Sequence, residues 1–502
     1  MKICTTGSLV IILVTCLLVP FQHGYAQHPV NNASKPNIIY IYADDMGYAV
    51  PGCYGQQLIP TPNLDKLAND GMKFTQHYAS APVCSPSRTM LLTGVHAGHS
   101  YIRGNYELGG FADSLEGGQM PLPPGIATMP GMLRKAGYTT ALCGKWGLGM
   151  HTTSGSPLKH GFDYYYGYLD QKQAHNYYPT HLWENDKKDT LDNDPLYVHQ
   201  PLDPKTATDK DFDKFTGRVY SPGRITEKAL GFVKQNKNKP FFLYLAYSIP
   251  HVSLQAPREY VDKFKDRFDD KPYYGQQGYA STKYPRATYA AMISYLDDQV
   301  GKLLQTIKEL GIEKNTIIMF SSDNGASTEG GADVYYFNST GNLRGLKREL
   351  YEGGIKVPFI VKWPGKVKPR TTSELVSSQY DLMATLAEIN NVPAGETDGI
   401  SFLPELLGKK AQQKQHEYLY FEFPGNDGQV AIRMGKWKFI KTGMMKDHGV
   451  TWQLYNLEKD PSEKNDVAGS HPDLIKRADE MVKKEHQCAH IREWEFIDPK
   501  YN

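Results

Sequence analysis

Apolar residues follow two rhythms along this chain. Short unbroken runs fall at 37–43 (NIIYIYA), 139–143, 241–247, 316–320 and 357–361, each bounded by polar or turn-forming residues. Runs of that length, rich in β-branched and aromatic side chains, predict strands buried on both faces. Between them the spacing turns helical. From 290 to 310, Met292, Ile293, Leu296, Val300, Leu303, Leu304 and Ile307 form one stripe, and Gly311 ends it. Thr61-Pro62 ahead of Leu64, Leu67 and Ala68, with Gly71 beyond, predicts a capped helix. Short apolar strands alternating with amphipathic helices predict an α/β domain over residues 36–412: a doubly wound, mostly parallel sheet flanked by helices.

From about residue 413 the rhythm changes. Runs at 418–423, 430–434 and 437–440 are short and separated by turns, and a charged helix is expected over 473–484. They predict a small C-terminal subdomain, residues 413–502, built of antiparallel sheet with a packed helix. The basic run KQNKNK at 234–239 reads as a solvated loop before a strand.

The first residues follow a different logic. Lys2 precedes an apolar run over 9–19, and Gly24-Tyr25-Ala26 offers small residues at the spacing of a cleavage site. This predicts a signal peptide, residues 1–26, and hence a secreted or periplasmic protein. Lipoprotein anchoring through Cys16 is the alternative, against which Thr15 counts. No segment is long enough for a membrane span. Removal of the leader takes Cys4 and Cys16 with it. The spacing of Cys53, Cys84, Cys143 and Cys488 suggests no disulfide scaffold, and most are expected to be buried thiols. A formal net charge of +2 gives no reason to expect nucleic acid or an anionic membrane as partner, so any attraction for an anion must be local.

The candidate chemistry lies where predicted strands end, which is where open α/β sheets bind ligands. Asp44-Asp45 follows the first strand, Asp323-Asn324 the fourth and His251 the third. Either acidic pair alone reads as a turn or helix cap. Together they favour a bound cation, and oxygen donors favour Ca²⁺ or Mg²⁺ over zinc. The stretch CSPSRTMLLTG at 84–94 predicts a helix that Ser85 can cap, with Pro86 in its first turn and Gly94 at its end. Cys84 then sits at a helix N-terminus with Arg88 one turn on, a place that favours an anion.

Cys84-x-Pro86-Ser87-Arg88, continued to Thr93-Gly94, resembles the sulfatase motif, in which the Cys is oxidised to formylglycine before export. The resemblance, to a family within the alkaline-phosphatase superfamily, covers nearly the whole mature chain. Asp44-Asp45 matches its first metal pair, Gly144-Lys145-Trp146 a further block, Pro250-His251 a strand-end histidine and Asp323-Asn324-Gly325 the second metal pair. Lys347 ahead of Tyr351-Glu352-Gly353-Gly354 matches a sulfate-binding lysine, and Leu454-Tyr455-Asn456-Leu457 with Asp460-Pro461 looks like the C-terminal subdomain. The resemblance implies a maturation enzyme that installs the aldehyde. It also implies Ca²⁺ held by Asp44, Asp45, Asp323, Asn324 and the group derived from Cys84. Arg88, Lys145 and Lys347 would hold sulfate oxygens, and His251 would be the general acid. A hydrated aldehyde suits the task because one hydroxyl attacks sulfur and the second expels sulfate.

The chain departs from the pattern at 144–149, where Gly-Lys-Trp-Gly-Leu-Gly stands in place of Gly-Lys-Trp-His-Leu-Gly. Gly147 takes the position of the expected base, and His151, Asp323 or a water is left to replace it. This variant resembles bacterial carbohydrate sulfatases, many acting on galactose or N-acetylgalactosamine units. Two polar-aromatic stretches, 99–105 and 171–179, suit a sugar subsite and nominate Arg103, Asn105 and His175 as substrate contacts. A sulfated glycan is the substrate implied. Two other readings stay open: a phosphodiester or phosphonate ester hydrolase of the same superfamily, and a non-catalytic sulfoglycan-binding protein.

Overall fold

The computed structural model describes residues 35–446 and 449–497; the expected leader lies outside them. A ten-stranded sheet forms the centre. Its order from one edge is Thr371–Ser373, Met72–Phe74, Phe359–Lys362, Thr316–Ser322, Asn37–Ala43, Phe241–Ala246, Thr139–Lys145, Tyr164–Tyr168, His181–Glu184 and Lys187–Thr190. The five central strands, from Thr316–Ser322 to Tyr164–Tyr168, run parallel. Beyond them the sheet turns antiparallel on both sides.

Alternation along a strand explains the layering. In Asn37–Ala43, Ile39 and Ile41 face one layer, with Leu64, Ile225, Ile293 and Leu303 from helices Pro62–Asn69, Ser221–Asn236 and Pro285–Glu309. Ile38, Tyr40 and Tyr42 face the other, with Leu91, Leu133 and Leu386 from helices Cys84–Thr93, Met129–Lys135 and Asp381–Asn390. Both faces are covered, so the strand reads as a continuous apolar run.

The outer elements differ from expectation for local reasons. The strand expected at 357–361 begins at Phe359, because Pro358 has no N–H for a ladder. The long helix starts at Pro285, ahead of its apolar stripe, with proline in the first turn. Residues 234–236 close the helix Ser221–Asn236 and are not loop.

The C-terminal strands Leu419–Phe423, Gln429–Met434, Trp437–Thr442 and Gln453–Asn456 pair antiparallel in chain order. One face, with Tyr420, Ile432 and Phe439, packs on helix Pro472–Glu485 through Ala478 and Met481. The other, with Leu419, Phe421 and Ile440, packs on Tyr78, Val83, Ile355 and Tyr380, so this sheet shares a core with the α/β layer. Of these, Val83 immediately precedes the Cys84–Thr93 helix and ties its start to the C-terminal sheet.

Candidate active site

Parallel strands deliver their loops to one edge of the sheet, and there the polar residues converge. Asp44 and Asp45 follow Asn37–Ala43, Lys145 ends Thr139–Lys145, and Asp323 and Asn324 follow Thr316–Ser322. His251 follows Phe241–Ala246 after a short loop, pinned by the Tyr177 hydroxyl, which donates to the Ser248 and His251 carbonyls at 2.6 and 2.7 Å.

The centre is a closed set of ion pairs. Lys145 Nζ lies 2.6 Å from Asp44 Oδ2, and Arg88 Nη2 bridges Asp44 Oδ2 at 3.1 Å and Asp323 Oδ2 at 2.8 Å. Lys347 Nζ donates to Asp45 Oδ2 at 2.8 Å, and Asn324 Nδ2 donates to Asp45 Oδ1 at 2.7 Å. Three carboxylates thus meet three cations, all buried. Burial would raise the Asp44 carboxyl, but Lys145, with His251 and Arg88, holds it well below the usual range. Burial, reinforced by Asp44, pushes Asp323 up to about 6.

The donor set suits a hard cation. Asn324 Oδ1 is buried without a hydrogen-bond partner, and an oxygen left so is costly unless something positive takes it. Ligand atoms of Asp44, Asp45, Cys84 and His251 lie within 4.8 Å of one another. Oxygen donors from two adjacent strand ends favour Ca²⁺ over zinc.

Cys84 opens the helix Cys84–Thr93, all of it buried, with Gly94 left-handed (φ 72°) at its end. Its Sγ donates to Asp44 Oδ1 at 3.5 Å. Burial pushes the thiol pKa well up, and Asp44 adds to this. Ser85 does not cap the helix; extended Val83 precedes it with no side-chain cap. The Ser85 hydroxyl is drawn instead to Gly147 O at 3.1 Å and Gln171 Oε1 at 2.9 Å.

His251 donates from Nδ1 to the Val252 carbonyl, which leaves Nε2 facing Asp45 Oδ2 at 3.7 Å. Burial, and next the Lys347 ammonium, push its pKa down to about 3. Above this centre opens a cavity of about 430 Å³ lined by His251 and Lys347 at its base. Asn105, His175 and Gln171 also line it, as do Phe111, Tyr197, His199, Tyr279, Glu329 and Arg348.

Two expected residues stand elsewhere. Arg103 does not reach the cavity: its guanidinium is buried, pairing with Glu422 and donating to the Ser100 and Gly98 carbonyls. It ties the loop after the catalytic helix to the C-terminal sheet, so a substrate role for it is withdrawn. His151 stacks on Trp183 with centroids 4.2 Å apart and is not among the cavity residues. No imidazole fills the place left by Gly147. A Cβ there would stand 3.1 Å from Gln171 Oε1, on a backbone of φ 74°. The Gln171 carboxamide, which bridges Ser85 and Glu107, holds that ground. His199, Glu329 and Arg348 carried no signal in the sequence, since they sit in loops or, for Glu329, a single 3₁₀ turn, without periodicity.

A charge-dense centre beyond the strand ends of an open α/β sheet is the arrangement of an enzyme that handles an anionic ester. The chain belongs to the sulfatase family: the Sulfatase model matches residues 36–392, and that for the C-terminal part of N-sulphoglucosamine sulphohydrolase matches residues 346–489. An N-acetylgalactosamine-6-O-sulfatase of Bacteroides thetaiotaomicron is 31% identical over 90% of this chain and 93% of its own. The mouse N-acetylgalactosamine-6-sulfatase is 29% identical over 90% of this chain and 86% of its own. Among solved structures, Ps i-CgsB in complex with k-i-k-neocarrahexaose superposes with a TM-score of 0.73 at 29% identity, covering 93% of this chain and 96% of that one. The protein is therefore a sulfuric ester hydrolase of carbohydrate-sulfatase type.

Proposed function

We propose that this chain is a secreted enzyme that hydrolyses a sulfate ester on a galacto-configured sugar, galactose or N-acetylgalactosamine, using Ca²⁺ and a formylglycine made from Cys84. The observation that carries the reading is the neutral, buried ion-pair centre at the base of a polar-aromatic cavity of about 430 Å³, a volume suited to a saccharide. The similarity to N-acetylgalactosamine-6-sulfatases supports the sugar. The apolar leader at 1–26 supports secretion, and a maturation enzyme acting before export supplies the aldehyde.

Asp44, Asp45 and Asp323 would hold the cation together with Asn324 Oδ1. When bound, it would polarise a sulfate oxygen and lower the pKa of the attacking hydroxyl. The aldehyde hydrate provides the second hydroxyl that a thiol lacks. Arg88, Lys145 and Lys347 surround the position of Cys84 with fixed positive charge, which stabilises an anionic transition state. His251, its Nδ1–H committed to Val252, turns Nε2 toward the centre and is the group proposed to protonate the leaving alcohol, for which it must first take up a proton at Nε2. Asn105 and His175 line the wall that the sugar meets, and His175 is the contact for an axial hydroxyl.

A screen of position-defined sulfated monosaccharides tests the reading. Sulfate release from a galactose or N-acetylgalactosamine ester, and not from its gluco epimer, is expected. Turnover of the gluco epimers alone would overturn the sugar assignment.

A further inference from the structure

His199 stands beside His175 in the cavity, in the loop between strand Lys187–Thr190 and helix Asp209–Asp213. Its Nε2 lies 3.3 Å from His175 Nδ1. Aromatic neighbours flank the half-buried ring. Phe111 lies 4.0 Å and Tyr279 5.5 Å from it, centroid to centroid. The preceding residue, Val198, is buried with Phe215 and Ala280 and anchors the loop. His175 is equally fixed, stacked on His251 with centroids 5.1 Å apart and planes at 13°.

Two neutral imidazoles joined by one hydrogen bond must divide the roles, one donating and one accepting. Burial keeps His175 neutral. The Gly278 backbone stands near His199 Nδ1 and favours a proton on that ring, and with Nε2 turned to His175 the proton is assigned to Nδ1. His199 Nε2 then has only a lone pair to offer, so His175 donates from Nδ1 and keeps its own lone pair on Nε2. No described residue hydrogen-bonds His175 Nε2, and the ring lines the cavity.

We propose that His199 is a specificity-determining positioning residue: by accepting the Nδ1–H of His175 it fixes His175 Nε2 as the acceptor for the axial hydroxyl of the sugar. The proposal rests on the reading of His175 as that contact. With the other tautomer, His175 would point an N–H into the cavity. A hydroxyl can accept such a bond, but its own proton must then find another acceptor.

The test compares His175→Ala, His199→Leu and His199→Gln on a sulfated galactoside and on a small aryl sulfate, with ¹⁵N NMR of histidine-labelled protein to read the His175 tautomer. His199→Leu should lower kcat/KM on the galactoside about tenfold, mainly through KM, leave the aryl sulfate untouched and move the His175 proton to Nε2. His199→Gln, whose Oε1 can accept the same bond, should keep most of the activity and the Nδ1–H tautomer. A loss in His175→Ala with none in His199→Leu would overturn the relay and leave the sugar contact standing. No loss on the galactoside in His175→Ala would overturn the contact itself. Equal losses on both substrates in His199→Leu would assign His199 to the fold and overturn the proposal.

Discussion

Asn324 shows how a single unpaired atom reports a function. Its Nδ2 is engaged by Asp45 and by the Gly325 carbonyl, while Oδ1 is buried with nothing to accept from. Asn324→Ala should lower calcium affinity roughly tenfold or more, because affinity follows the number and kind of oxygen ligands; titration calorimetry reads it, and unchanged affinity would take Asn324 out of the site. His77 makes a different kind of statement. Its ring stacks on Phe359 at 4.1 Å, Nδ1 meets Ser377 Oγ at 2.9 Å, and Nε2 has no partner. Burial lowers its pKa from 6.5 to about 3. Between those values the unfolded chain takes up a proton that the folded one refuses. This contribution to stability is therefore complete above pH 6.5 and is lost as pH falls toward 3. His77→Phe should remove about 2 kcal/mol from the stability difference between pH 7.5 and 5. Denaturant midpoints at the two pH values check it, and a slope equal to that of the natural protein would contradict it.

Among the elements, the turn at Gly147 sets a limit on what the catalytic helix can be given. The backbone there is left-handed and Gln171 occupies the adjoining space. Gly147→His should therefore cost about 1–3 kcal/mol of stability and not raise activity. Thermal melts and kcat/KM decide, and a stable, faster variant would show that the loop accommodates an imidazole. The central strands were legible in the sequence because both their faces are covered, so burial wrote itself into unbroken apolar runs. Strand Lys187–Thr190, at the sheet edge and mostly exposed, left no such trace. Asp44, Asp45, Asp323 and Asn324 were legible as strand ends, and Cys84 and Arg88 as a helix start. The direction of Ser85 was not, since Gly147 and Gln171 compete for its hydroxyl from 62 and 86 residues away. Arg103 misled for the same reason: its partner Glu422 lies 319 positions along the chain.

At the scale of the whole molecule, positive and negative charges nearly cancel, so attraction for an anion depends on local arrangement. The formal net charge is +2, and the centre itself pairs three carboxylates with three cations. A divalent cation added there leaves the centre positive and ready for a sulfate ester. Chelation should abolish turnover and lower Tm, and Ca²⁺ should restore both, because an ion that binds only the folded state stabilises it by about 2.7 kcal/mol at a hundredfold excess over Kd. Stoichiometric zinc in the purified enzyme would contradict the oxygen-donor argument. The central claim concerns residue 84, which opens a buried helix beside Asp44 and within the field of Lys145 and Lys347, and whose thiol offers no second hydroxyl to expel sulfate. Peptide mass spectrometry of protein assayed on a sulfated galactoside tests it most directly. The account predicts an aldehyde in place of the thiol, with activity rising in proportion to the converted fraction; full activity with an unmodified Cys84 would contradict it.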